Sequence, residues 1–157
     1  MTGIKKDYDV IVIGTGGVGS AALYHLAKRG ASVLGIDRFP VAHDKGSSHG
    51  HTRVIRKAYF EHSDYVPLLE RAYKLWDELN ETANIPCFQR HPMVEIGPSD
   101  GVVVPGVLKA AEEHGLSVRE LTAEQLLKEF PYLSLPDGYS AVTEEDAGIL
   151  FVENCIN

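Results

Sequence analysis

The glycine-rich segment Gly14-Thr15-Gly16-Gly17-Val18-Gly19 is the strongest fold signal in this 157-residue chain. A short apolar run at 8–13 precedes it, and a helical pattern at 21–29 follows it. A second apolar run, at 31–36, ends at Asp37. A strand, a glycine turn, a helix and a second strand within about 30 residues form a βαβ unit with parallel strands. The sequence therefore predicts an α/β fold that opens with a Rossmann-like unit.

The residue types in this turn suit the binding of a dinucleotide. Gly14 permits a tight turn, Gly16 lets the backbone approach a pyrophosphate, and Gly19 lets the helix pack close to the strand. The N–H groups and the dipole at the start of the helix favour an anion there. Asp37 would accept hydrogen bonds from ribose hydroxyls, and its charge disfavours a 2′-phosphate. The unit therefore predicts FAD or NAD, and an NAD-dependent dehydrogenase is an alternative.

Composition and charge narrow the range of partners. Hydrophobic residues make up 44% of the chain, and the formal net charge is -7 without any run of Lys or Arg. This balance argues against nucleic acid or an anionic membrane as the partner. No apolar stretch reaches the roughly 20 residues of a membrane span, and Lys5 and Lys6 precede only a strand-length segment, so no signal peptide is predicted. Cys87 and Cys155 have no zinc or disulfide-framework spacing, which suits a reducing compartment such as the cytoplasm.

A loop rich in glycine, serine and histidine at 39–51 leads into a second informative motif. This motif reads Gly46-Ser47-x-His49-Gly50-x-x-Arg53-x-Ile55-Arg56-x-Ala58-Tyr59. With the glycine turn, it resembles the monomeric sarcosine oxidases, N-methyltryptophan oxidases and peroxisomal pipecolate/sarcosine oxidases, which are FAD-dependent amine oxidases. The likeness continues through Tyr65-Val66-Pro67-Leu68, Leu75-Trp76, Gly148-x-Leu150 and Glu153-Asn154-Cys155. Two positions depart from that pattern: Ala42 replaces a usual proline, and His51 replaces a small polar or acidic residue.

The resemblance implies roles for individual residues. Arg53 and His49 are expected beside the flavin ring as catalytic residues, while Arg56 is expected to bind the substrate carboxylate and Tyr59 to border its pocket. A guanidinium suits the binding of the substrate carboxylate because it can form paired, charge-assisted hydrogen bonds with it. We predict cofactor contacts from Ile13, Gly14, Gly16, Gly17, Val18, Gly19, Asp37, Arg38, Gly46, Ser47, Ser48, His49 and Arg53.

Simpler interpretations of these residues exist. The two arginines would also suit an exposed strand on which both are solvated. His43, His49 and His51 could form a metal site. No nearby cysteine adds a ligand, however, and the small residues around the histidines favour the close approach of a planar ligand, so no metal is predicted.

The rest of the chain alternates helical and strand patterns. Helices are predicted at 65–81, 105–114 and 123–130, the last with a capping box of Thr122 and Gln125, and Trp76 is predicted to be core. A strand is predicted at 93–96, a short strand segment begins at Val118, and antiparallel strands at 138–142 and 148–151 flank a turn at 144–147. Their acidic residues are interpreted as a solvated face. We assign 1–85 to the FAD-binding domain, 86–147 to the beginning of an α+β substrate domain, and 148–157 to a return segment.

The resemblance implies an oxidase of secondary amino acids such as sarcosine, an N-methyl amino acid or pipecolate, with O2 reduced to hydrogen peroxide. Because the resembling enzymes are much longer, we expect an N-terminal fragment, inactive alone, of a monomeric enzyme that is cytoplasmic, or peroxisomal in a eukaryote. Neither cysteine matches the context of a flavin-linking cysteine, so no covalent link is assigned. A catalytically inert fragment is a further alternative.

Overall fold

The computed structural model describes residues 7–157, so the N-terminal lysines considered above lie outside the described residues. Contacts within the chain divide it into two units. The first comprises the described residues up to Arg53 together with Phe151–Asn157, and the second comprises Val54–Leu150. The domain boundary predicted after residue 85 falls inside the second unit. The elements in chain order are β1 (Val10–Ile13), α1 (Gly17–Lys28), β2 (Val33–Ile36), β3 (Thr52–Ile55), a 3-10 turn (Ser63–Tyr65), α2 (Val66–Thr82), β4 (Phe88–Arg90), β5 (Met93–Pro98), α3 (Val103–His114), β6 (Val118–Leu121), α4 (Ala123–Glu129), β7 (Tyr139–Glu144), β8 (Gly148–Phe151) and α5 (Val152–Ile156).

The first unit contains the predicted βαβ arrangement. Strands β1 and β2 pair in parallel, with Val10 opposite Val33 and Ile13 opposite Ile36. Helix α1 connects them and begins at Gly17, earlier than the apolar pattern indicated, because the glycine turn itself forms the first helical turn. The α/β prediction is thus confirmed.

A three-stranded antiparallel sheet of order β5-β7-β6 organises the second unit. Successive residues of β7 point to opposite faces, as the pleat requires. On one face Val142 packs with Ala58 and with Val104 and Val107 of α3. On the other face Ala141 packs in a separate cluster that includes Leu121 and Leu126 of α4. The sheet therefore carries apolar side chains on both faces.

A smaller sheet of order β3-β8-β4 lies beside α2. Its core contains Ile55, Tyr73 and Phe88, and Trp76 packs against them as predicted. Strand β4 runs antiparallel to β8, with Arg90 opposite Gly148. A Cβ at Gly148 would lie 2.5 Å from the Phe88 ring, so only glycine fits at this point of the pairing between β8 and β4.

The pairing predicted between 138–142 and 148–151 is wrong. Strand β7 pairs with β5 and β6, whereas β8 pairs with β4. Apolar and polar alternation indicates a strand and its buried face, but it does not identify the neighbouring strand. The turn between the two strands therefore joins different sheets instead of closing a hairpin.

The helices agree closely with their sequence signals. Helix α2 occupies 66–82, and α3 ends at Gly115, whose φ of 64° is the left-handed conformation that favours glycine. The capping box of α4 is present, because the Thr122 side chain accepts from the Gln125 amide and the Gln125 side chain accepts from the Thr122 amide. Within 7–157, no helix has both the length and the apolar character needed to cross a bilayer.

Gly106 on α3 permits close contact with the backbone near Phe60. A Cβ at Gly106 would lie 2.5 Å from the Phe60 carbonyl oxygen and 2.9 Å from its Cα. Alanine in an open helix would be about 1 kcal/mol better than glycine, but this overlap with the backbone should dominate. We expect Gly106→Ala to lower the free energy of unfolding by about 1–3 kcal/mol in urea titrations.

The exposed Glu112 on the same helix provides the control for this substitution. Glu112→Ala should change the free energy of unfolding by less than about 0.5 kcal/mol. A Gly106→Ala variant that is more stable than the wild type would show that the contact with Phe60 does not constrain α3.

Candidate functional site

The glycine turn holds its shape through its backbone and through packing. Gly14 has a φ of 91°, and its amide donates to the Ile36 carbonyl at 2.8 Å. A Cβ at Gly19 would lie 1.8 Å from the Gly14 carbonyl oxygen, and one at Gly35 would lie 2.5 Å from Leu23 of α1. The close approach of helix to strand thus requires glycine at position 19, where the neighbouring atom is backbone, whereas the contact at Gly35 is with a side-chain end and was not predicted from the sequence.

Asp37 connects the end of β2 to the glycine turn. Its Oδ2 accepts from the Thr15 amide at 2.7 Å and from the Thr15 hydroxyl at 3.2 Å, and its Oδ1 accepts from the Phe39 amide at 3.1 Å. These hydrogen bonds, the one from the Thr15 amide first, lower the pKa of Asp37 to about 2. The carboxylate is therefore ionised at neutral pH and fixes the turn, a role that the sequence analysis did not assign to it.

His43 adds a contact to this carboxylate that sequence reasoning missed, since it was considered only as a metal ligand. Its Nδ1 accepts from the Lys45 amide at 3.0 Å, so Nε2 carries the proton, and Nε2 lies 3.5 Å from Asp37 Oδ1. The ring also meets Phe39 edge-on at 5.0 Å. Among residues 7–157, no three His, Cys, Asp or Glu side chains gather as a metal site.

The serine-rich loop contacts the start of α1. Ser48 Oγ accepts a hydrogen bond from the Gly17 amide at 3.0 Å. Arg53 donates to the Ser47 carbonyl at 2.6 Å and to the Thr52 carbonyl at 2.8 Å. Arg53 thus stabilises the loop from which it projects, and its predicted role beside a flavin remains a prediction.

A cleft of about 490 Å³ lies between the glycine turn and this loop, within the first unit. Of the predicted cofactor residues, Arg38, His49 and Arg53 do not line this cleft; Arg38 stacks over Phe39 at 5.5 Å and His49 is exposed. Thr15 and His43 line it without having been predicted. The predicted residues that line the cleft are Ile13, Gly14, Gly16, Gly17, Val18, Gly19, Asp37, Gly46, Ser47 and Ser48.

The fold itself does not require glycine at position 16. The φ of Gly16, −71°, is open to any residue, and a Cβ there would have its nearest contact at 3.6 Å, with Ser48 Oγ. Neither backbone strain nor packing within the chain therefore requires glycine at this position. The first turn of α1 carries no acidic residue, and its Gly17 amide donates to the Ser48 hydroxyl and not to a carboxylate. Backbone amides without a competing carboxylate suit a pyrophosphate.

Arg56, in the second unit, already holds carboxylates. Its Nη2 donates to both oxygens of Glu61 at 3.0 and 3.1 Å, and its Nε lies 3.3 Å from Glu95 Oε1. The guanidinium stacks over Tyr59 at 4.4 Å and lies 5.2 Å from the Phe60 ring. Only 17% of the side chain is exposed, so Arg56 is not a solvated surface residue.

Two acidic residues predicted to be solvated are in fact buried or nearly so. Glu144 is 4% exposed, and its two oxygens accept from the Lys57 amide at 2.8 Å and from the Ala58 amide at 3.0 Å. The Glu95 side chain is 15% exposed, and burial raises the pKa of Glu95 while Arg56 opposes that shift. The solvated-face interpretation is wrong for both, because the segment after β3 supplies backbone donors to Glu144 and a positive charge beside Glu95, which sequence spacing could not reveal.

A charged network surrounds the next residue of that segment. The Lys57 ammonium pairs with Asp146, and Arg90 donates to Asp146 at 2.8 Å and to both oxygens of Asp77 at 2.7 and 2.8 Å. The Tyr73 ring lies beneath Lys57 at 4.7 Å, and burial raises the pKa of its hydroxyl. The network links α2, β4 and the turn after β7 to the residue that follows Arg56.

Comparison with known proteins identifies the family. The family model described as FAD dependent oxidoreductase matches residues 9–154. The chain therefore belongs to the FAD-dependent oxidoreductases, and FAD, not NAD, is the cofactor of this class.

Individual relatives agree with this class. Monomeric sarcosine oxidase from Arthrobacter sp. (strain TE1826) is 43% identical over 154 residues, which are 98% of this chain and 40% of that protein. N-methyl-L-tryptophan oxidase from Salmonella arizonae is 42% identical over 149 residues, which are 95% of this chain and 40% of that protein. The chain thus spans about two fifths of the length of these relatives.

A solved structure supports the fold. NikD, described as an unusual amino acid oxidase essential for nikkomycin biosynthesis, superposes with a TM-score of 0.83 at 24% identity. The match covers 97% of this chain and 39% of that one. At this level of identity the likeness concerns the fold alone.

Proposed function

We propose that the protein containing this chain oxidises secondary amino acids at the C–N bond and passes the electrons to O2, which yields hydrogen peroxide. The substrate class is the sarcosine, N-methyl amino acid or pipecolate type. The names of the two relatives support this class, since both describe oxidases of N-methyl amino acids. The observation that carries the proposal is that the Arg56 guanidinium, which stacks over the Tyr59 ring, donates to both oxygens of a carboxylate.

The residues of the first unit would hold the cofactor. The amides at the start of α1 would meet the pyrophosphate, Ser48 would add a hydroxyl, and Asp37 would accept from the ribose while it keeps the turn in place. FAD, when bound, supplies an acceptor for the hydride equivalent that leaves the carbon beside the substrate nitrogen. Arg53 and His49 are proposed to act beside the flavin ring, where a positive charge favours the reduced, anionic form.

Arg56 would bind the substrate carboxylate in place of Glu61. Glu61 is 45% exposed, and ion pairs with exposed partners contribute little to stability, so a substrate can displace it. Nη2 donates to both oxygens of the Glu61 carboxylate, at 3.0 and 3.1 Å, which supports the proposal that this nitrogen also binds a substrate carboxylate. Tyr59 would form one wall of that subsite, because its ring lies 4.4 Å from the guanidinium carbon.

The complete gene product provides the test of this function. We expect the purified protein to bind FAD and to show absorption bands near about 375 and 450 nm. Sarcosine, an N-methyl amino acid or pipecolate should then produce peroxide, whereas glycine, the primary-amine counterpart of sarcosine, should react poorly. A protein that stays colourless with added FAD would contradict the cofactor assignment. A flavoprotein that forms no peroxide with any secondary amino acid would contradict the substrate class.

The location and assembly of the enzyme are part of the same proposal. We place it in the cytoplasm, or in the peroxisome of a eukaryote, as a monomer. The 157-residue polypeptide alone is expected to give no amine-dependent peroxide, because it spans about two fifths of the relatives.

A further inference from the structure

Arg56 has two carboxylate partners, and they differ in accessibility. Glu61 is 45% exposed and lies five residues further along the chain, whereas Glu95 is 15% exposed and belongs to β5. One positive charge therefore faces two negative charges. A substrate that displaces Glu61 would still meet an arginine whose charge is partly balanced by Glu95.

Glu95 is fixed by the sheet and cannot move aside as a loop residue can. It pairs across the sheet with Val142 of β7, whose side chain packs in the core beside Ala58. Its Oε1 lies 3.3 Å from Arg56 Nε, yet this buried nitrogen makes no hydrogen bond to any described residue. The contact thus acts mainly through charge, while the rings of Tyr59 and Phe60 orient the guanidinium.

We infer that Glu95 sets the affinity of Arg56 for carboxylate ligands, as a specificity residue that acts through Arg56. The inference rests on the proposed function, in which Arg56 binds the substrate carboxylate. Glu95 reduces the net positive charge that the guanidinium presents. It therefore weakens binding of small carboxylates and favours substrates that gain affinity from other contacts. Carboxylate binding is coupled to proton uptake by Glu95, because a neutral Glu95 does not repel the carboxylate of the ligand.

The surroundings of Glu95 give the sign of this coupling. The charged groups that act on it are Arg56 and Glu61 from the segment after β3, and Glu144 from β7. Burial raises the pKa of Glu95, the two glutamates add to that shift, and Arg56 opposes it. A ligand carboxylate that replaces the half-exposed Glu61 at Arg56, and is itself enclosed, would be screened less by water than Glu61 is, and so would raise this pKa further. Affinity for the ligand must therefore increase as the pH falls toward that pKa.

The test uses the FAD-loaded complete gene product and acetate or methylthioacetate as the carboxylate probe. Binding is followed by the change in flavin absorbance between pH 5.5 and 8. We expect Glu95→Gln to bind the probe about tenfold more tightly at pH 7.5, the size expected of one charge acting over a few ångströms. The wild type should approach that affinity as the pH is lowered, and Glu95→Gln should show little pH dependence.

Two further variants separate charge from structure. Glu120→Gln removes a carboxylate from β6 that also lies opposite Val142 but is exposed, and it should bind the probe as the wild type does. Glu95→Asp keeps the charge and should keep both the weaker affinity and the pH dependence. If Glu95→Gln folds poorly, Glu95→Leu removes the same charge without a polar group, and the same tightening is expected of it.

The outcomes distinguish this inference from the proposed function. If Arg56→Ala binds the probe as tightly as the wild type, Arg56 is not the carboxylate site and the proposed function is wrong at that point. If Arg56→Ala loses affinity while Glu95→Gln binds no more tightly than the wild type, only the inference about Glu95 is overturned. Weaker binding by Glu95→Gln would likewise overturn it and would indicate that Glu95 simply orients Arg56.

Discussion

Gly19→Ala is expected to disrupt the first unit, whereas Gly16→Ala is expected to leave it folded and to remove the cofactor. At Gly19 the added methyl group would lie 1.8 Å from the Gly14 carbonyl oxygen, which is backbone and cannot turn away. We expect a loss of about 3 kcal/mol in the free energy of unfolding. At Gly16 the methyl group has no contact closer than 3.6 Å and the backbone is unstrained. The methyl group would reduce only the space proposed for the pyrophosphate, and Gly16→Val is expected to fill more of it and to abolish FAD retention.

Two measurements on the complete gene product check this pair of substitutions. Thermal melting followed by circular dichroism reports the fold, and the ratio of flavin to protein absorbance reports bound FAD. The expected pattern is a native-like melting curve without flavin for Gly16→Ala, and a lowered melting temperature for Gly19→Ala. A yellow, fully loaded Gly16→Val protein would contradict the assignment of the pyrophosphate site.

Arg56→Ala is expected to raise the KM for carboxylate substrates by about 100-fold, because a desolvated, charge-assisted pair is lost. Arg56→Lys should cause an intermediate increase of about tenfold, since an ammonium cannot form the two parallel hydrogen bonds of a guanidinium. The lysine variant also keeps a positive charge beside Glu95, so that its result does not reflect an unpaired buried carboxylate. Steady-state kinetics of peroxide release measure both effects.

Arg71 provides the matched control for these variants. It is an exposed arginine on α2, with 63% of its side chain accessible, and Arg71→Ala should leave the KM unchanged. Flavin content and melting temperature must be compared in every variant, so that a loss of fold is not mistaken for a loss of binding. An Arg56→Ala enzyme that keeps the wild-type affinity for acetate or methylthioacetate would refute the proposed role of Arg56.

The sequence predicted well those features that depend on neighbouring residues. The glycine turn between two apolar runs was sufficient for the βαβ unit, and Thr122 with Gln125 was sufficient for the start of α4. Such signals act within one element or between adjacent ones, where spacing along the chain determines position in space. For the same reason the structural roles of Gly14 and Gly19 follow correctly from their positions in the glycine turn.

Interactions between distant parts of the chain could not be read in this way. Glu144 accepts a hydrogen bond from an amide 87 residues earlier, and Glu95 of β5 forms an ion pair with Arg56 of the segment after β3. In the sequence, Glu95 looks like an ordinary polar position on a half-buried strand, and Glu144 looks like part of a solvated turn. The role of Thr15 at Asp37 also depends on a contact that forms only when the end of β2 and the glycine turn meet. The structural role of a carboxylate can be assigned only when its hydrogen-bond donors are known.

The contact of Glu144 with the Lys57 and Ala58 amides also has a consequence for biosynthesis. A ribosome delivers the chain from its N-terminus, so the two amides emerge long before the carboxylate that receives them, 87 residues later in the case of Lys57. Until then both N–H groups must donate to water, and no protein acceptor holds the backbone beside Arg56 in its final conformation. The βαβ unit can form early in translation, whereas the guanidinium-bearing segment matures only once β7 has left the exit tunnel.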